Sequence, residues 1–162
     1  MRSRLPASAM LAIAVLCWSL PDAQAQDRGP SAAEVAAIGA CAEANRDSVD
    51  EGERKCIFKL VADRCIKRTR ESNAETIECY DVELKIWDDL LNKNFQALRA
   101  ELDEEQVKKL REMQQAWITY RDRTCGFYYD KIQGSMAGPM GAACRTRETA
   151  RRALLLAFFR RL

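Results

Sequence analysis

The chain has 162 residues, 48% apolar and 31% charged, with a formal net charge of +2 and no histidine. That balance suits a globular domain and is too weakly basic for a nucleic-acid binder held by bulk charge. Without histidine, Ser-His-Asp and Cys-His catalysis are excluded and the commonest metal ligand is missing.

The first segment reads as a secretory leader. Arg2 and Arg4 precede a mostly apolar run from Ala7 to Leu20, and Ala23-Gln24-Ala25 fits the small-x-small pattern of a signal peptidase site. Cleavage after Ala25 is expected, leaving residues 26–162 in the periplasm or outside the cell. Cys17 is lost with the leader, and Leu16 is not the small residue a lipoprotein signal needs there. An uncleaved anchor is the alternative, but the run falls short of the ~20 residues of a membrane span. No later stretch is long and apolar enough, so no stable membrane insertion is expected.

Along the rest of the chain the spacing predicts an all-α fold, a small disulfide-stapled bundle of about five helices. Ser31 with Glu34 forms a capping box for a first helix reaching Cys41. Residues 45–52 are polar and turn-like, and a second helix is predicted from Glu53 to about Lys67. A third carries an apolar stripe through Ile77, Tyr80, Leu84, Trp87, Leu91, Phe95, Leu98 and Leu102. Asp103 and Gln106 make a second capping box, opening a fourth helix with Leu110, Met113, Trp117 and Tyr120 on one side. Residues 133–141 hold three glycines and a proline and are predicted to be a loop. A last helix runs from about Arg145 to Arg160. Its end, with Leu154 to Leu156, Phe158 and Phe159 beside arginines, reads as a core helix with a basic edge; lying on an anionic membrane is the alternative.

Past the leader six cysteines remain, an even number that argues for three disulfides in an exported domain. Fifteen connectivities are open to them. Antiparallel helix pairs would favour Cys41–Cys56, Cys65–Cys79 and Cys125–Cys144. No C-x-x-C pair suggests a metal site, and no cofactor is implied.

Charge is unevenly placed. Residues 71–105 carry three basic and eleven acidic side chains, residues 106–162 twelve basic and four acidic. Pairing of an acidic helix with basic ones explains this; an exposed acidic face for a cationic partner is the alternative.

The order Cys79, Glu83, Asp88, Leu91, Asn92, Gln114, Trp117, Arg121-Asp122, Cys125, Gly134-Ser135, Cys144, Thr149 and Arg152 resembles the LprI-like N-terminal domain. That is a small exported helical module named for a lysozyme inhibitor. The resemblance covers about Cys65 to Leu156, and its most specific part is Trp117-x-x-x-Arg121-Asp122-x-x-Cys125. Phe95 and Gln115 depart from the tyrosine and arginine usual in the family. One domain is therefore expected over residues 26–162, with 26–64 a helical hairpin set before an LprI-like core at 65–162.

The resemblance implies a periplasmic protein binder, with lysozyme as partner, and no enzyme. A structural or stress-related cell-envelope protein is the competing reading. A carboxylate hydrolase using Glu83 with Asp88 or Asp122 is a third, weakened because i and i+5 share a helix face poorly. Glu83, Asp88, Asn92, Gln114, Arg121, Asp122, Thr149 and Arg152 are expected to form a polar network locking the later helices, arginine on carboxylate. For partner contact, Gly134, Ser135, Met136 and Met140 are the candidates, on a loop stapled at its base that could enter a lysozyme cleft; a plain connector is the alternative.

Overall fold

Ser31 opens the first helix of the structure, a computed structural model that describes residues 28–69 and 72–162. The leader expected at 1–25 lies outside the described residues. Among the described residues there are six helices: α1 Ala32–Ala44, α2 Val49–Cys56, α3 Ala62–Ile66, α4 Asn73–Glu101, α5 Glu104–Lys131 and α6 Ala137–Phe159. No strand occurs among the described residues. The bundle is all-α and stapled by Cys41–Cys56, Cys65–Cys79 and Cys125–Cys144.

Helix starts follow the sequence. Both capping boxes form, Ser31 with Glu34 and Asp103 with Gln106, each satisfying backbone N–H groups that a helix leaves open. The sharp stop between α4 and α5 is two residues long, Leu102 and Asp103.

Three boundaries differ from expectation. Helix α2 begins at Val49, capped by the Ser48 hydroxyl, inside the stretch read as a turn. The single helix predicted from Glu53 to Lys67 is broken into α2 and α3 across residues 57–61. Phe58 sits there at a φ of 68°, in the left-handed region that side chains rarely adopt. The predicted second helix is thus two, which brings the described helices to six. The glycine loop is also far shorter than 133–141, because α6 already starts at Ala137. Pro139 falls in its first turn, where a backbone N–H has no intrahelical acceptor and none is lost.

Helix α6 is the centre of the fold. It packs along both α4 and α5 and also meets α2, whereas α4 and α5 barely touch. Burial agrees: α6 buries twelve residues and α5 only Leu110 and Cys125. The core gathers Ile38, Val61, Val82, Ile86, Trp87, Leu91, Leu98, Leu154 and Leu156. Leu154 and Leu156 are fully packed, so the C-terminal segment is a core helix. No described helix is long and apolar enough to cross a membrane. Polar side chains fix the register of α6. The Thr146 hydroxyl donates to the Tyr80 carbonyl at 3.1 Å, and Asn94 Nδ2 donates to the Ala153 carbonyl at 2.9 Å.

Candidate functional site

Glu83 is fully buried on α4, and its carboxylate is held by three N–H donors. The Phe58 and Ala62 backbone N–H groups donate at 2.7 and 2.9 Å, and Trp87 Nε1 donates at 2.9 Å. Ala62 is the first residue of α3, so Glu83 caps that helix from another element. Burial raises its carboxyl above the ordinary range, against the pull of those donors.

The expected network of arginines on carboxylates is not what forms. Among the described residues no arginine pairs with Glu83. Asp88 and Asn92 are exposed on α4 and bonded to each other at 3.2 Å. Arg121 pairs with its neighbour Asp122, Nε to Oδ1 at 2.9 Å, on the outside of α5. Among the described residues Arg152 and Gln114 are the one pair of these side chains bonded to each other across two helices, Nε donating to Oε1 at 2.9 Å between α6 and α5. Thr149 is fully buried and its hydroxyl has no partner in the described residues. The motif is therefore several small locks, because Glu83 points toward the 57–61 break and away from α5.

Trp117 ties two of those locks together. Its ring has the Arg121 guanidinium 4.9 Å and the Arg152 guanidinium 5.6 Å from the centroid. Each such contact contributes on the order of 0.5–2 kcal/mol, the larger figure where water is excluded. Neither the apolar stripe nor the motif assigns Trp117 a cation; the signal is the arginine four residues on, one helical turn above the ring.

Arg121 and Asp88 also line one groove, with Leu84, Lys85, Asp89 and Arg145. Arg152 and Trp117 line another, with Val49, Tyr120, Glu148 and Leu155.

At the far end of α5 and α6 the chain turns through residues 132–136, with Gly134 at a φ of 121°. Asn73 Nδ2 donates to the Ser135 carbonyl at 3.0 Å and pins the turn to the start of α4. Met136 and Met140 are exposed, one helical turn apart, and Phe127 and Tyr129 are exposed on α5 nearby in sequence. So Gly134, Ser135, Met136 and Met140 do not form one protruding loop: the first three lie on or beside a tight turn, and Met140 is helical. Cys125–Cys144 staples the two helices beneath it.

Glu83 and Asp88 do not form a hydrolytic pair, since Glu83 is sealed from solvent and Asp88 faces it. Among the described residues no group of three or more acidic or cysteine side chains could hold a metal ion. What the surface presents is two cations against an indole and, at the stapled end, the exposed Met136 and Met140.

A histidine-free helical bundle with three staples and a Trp-x-x-x-Arg-Asp-x-x-Cys helix defines a small disulfide-bonded helical domain. Its family model is that of lysozyme inhibitor LprI, matched over residues 65–156, and the chain belongs to that family. The match takes in α4, α5 and α6 and stops short of α1 and α2. No curated protein and no solved structure matches the chain significantly.

Proposed function

We propose that the protein is an exported, non-enzymatic inhibitor of lysozyme that works by protein–protein contact in the periplasm or outside the cell. The family match over α4 to α6 carries this reading. Three disulfides support an oxidising compartment, where such bonds persist. Signal cleavage after Ala25 would deliver residues 26–162 as one domain.

The contact is assigned to the stapled end of α5 and α6, at Gly134, Ser135, Met136 and Met140. Methionine side chains adapt to an apolar cleft, and the Cys125–Cys144 staple lowers the ordering cost of binding. The acidic exposed side of α4 would steer a cationic enzyme toward it, an effect that salt should weaken.

Titrating the mature protein into a muramidase assay with lysozymes of several classes tests the reading. Inhibition at stoichiometric amounts is expected, with M136S/M140S weaker by about ten-fold, roughly 1.4 kcal/mol. A folded wild-type protein that slows none of them overturns it.

A further inference from the structure

Arg152 is 6% exposed, and it makes no ion pair in the described residues. Its Nε is used by Gln114, and its guanidinium lies against Trp117, but Nη2 is buried without any acceptor. A buried guanidinium lacking a carboxylate is costly, because neither a ring face nor an amide oxygen neutralises the charge. Burial alone pulls its proton affinity down, with no acidic neighbour opposing. One turn earlier on the same face of α6, the Thr149 hydroxyl is also buried and unpartnered.

A groove runs beside Arg152. Val49 from α2, Trp117 and Tyr120 from α5, and Leu155 from α6 give it apolar and aromatic walls. Arg151 stands at the same groove and is held by Glu53 at 3.0 Å. Glu148, one turn before Arg152, also lines it yet does not pair with Arg152. A chain-supplied carboxylate is thus close at hand and is not the one engaged.

We propose that the Val49–Trp117–Tyr120–Leu155 groove is a carboxylate-binding pocket in which Arg152 receives an acidic side chain of the bound protein. The identity of that protein rests on the inhibitor reading above; the pocket does not. With Nε given to Gln114, an entering carboxylate would meet the remaining edge of the guanidinium, beside the Trp117 and Tyr120 rings. A recessed arginine of this kind selects a projecting glutamate or aspartate and leaves flat acidic surfaces aside.

The test uses the mature protein with acetate as probe, exchanging sodium chloride for sodium acetate at constant ionic strength. Ligand bound only to the native state raises the unfolding midpoint, here by a few degrees at high acetate. R152K keeps the charge but loses the fork, and L155E places a competing carboxylate one turn from Arg152. Both should lose the acetate response. Should R152K fail to fold, L155E still decides. An unchanged response in folded L155E or R152K overturns the pocket, as does a wild type that answers acetate and chloride alike, which would mean solvent satisfies the guanidinium. In the lysozyme assay, L155E should inhibit at least ten-fold more weakly. Undiminished inhibition by L155E overturns the partner's side chain as occupant and leaves small free carboxylates. Where the wild type inhibits no lysozyme, the inhibitor reading falls and the acetate comparison alone judges the pocket.

Discussion

Glu83 on α4 accepts the Phe58 backbone N–H at 2.7 Å, across twenty-five positions of chain, and so closes the break between α2 and α3. The same carboxylate takes the first N–H of α3 and the indole of Trp87. Three buried donors converge on one group, and each would be left unsatisfied without it.

The substitution E83Q should therefore destabilise by about 2 kcal/mol, since an amide keeps one acceptor oxygen and turns an N–H toward at least one of those donors. Urea unfolding followed by circular dichroism measures it. A change below about 0.5 kcal/mol would show that the break holds itself.

Stability should also carry a signature of Glu83 against pH. Its folded-state proton affinity is raised above the ordinary carboxylate value, so the native state holds the proton more tightly than the unfolded chain. That contribution is fully present below the ordinary value and is lost as pH rises through the raised one. The wild type should lose stability relative to E83Q over that window, as read from paired unfolding curves from pH 4 upward. Parallel curves would contradict the linkage.

Removing the Cys125–Cys144 staple as C125A/C144A opens a loop of 19 residues. The expected loss is about 3 kcal/mol from the freed unfolded chain. Helix content should survive because α6 remains packed on α4. Calorimetry and far-ultraviolet dichroism separate the two effects.

Gly141 is a close-approach position. A Cβ there would lie 2.6 Å from Tyr129 Cε2, so G141A must push the ring aside. The ring is the far end of a half-exposed side chain and can move, so a loss of no more than about 1 kcal/mol is expected. The double variant G141A/Y129A should recover part of it in thermal melts.

Local signals made most of the fold readable. Ser31, Asp103 and Gln106 name helix starts by their own chemistry, and the stripe from Ile77 to Leu98 needs only helical spacing. Val82 and Ile86 escaped because α4 is covered on two sides, by α3 and α6, so its buried face is wider than one stripe. The break at residues 57–61 was invisible for a different reason: the residue that satisfies it lies more than twenty positions downstream, and no local pattern reports a remote carboxylate. Residues 133–141 misled because Pro139 and the glycines punctuate a chain in one context and open a helix in another. For the candidate site, the motif residues were named from sequence, but their partners were not. Whether Arg152 meets Glu83 or Gln114 depends on which way α4 turns its faces, a matter settled by packing.

The bonds from Glu83 run out of the matched region, to Phe58 and Ala62. A truncated version starting at Cys65 would strip the acid of both amide partners and strand it in the hydrocarbon interior. The surroundings that satisfy Glu83 are therefore longer than the matched stretch, and trimming the protein for binding assays should keep everything from Ser31 onward.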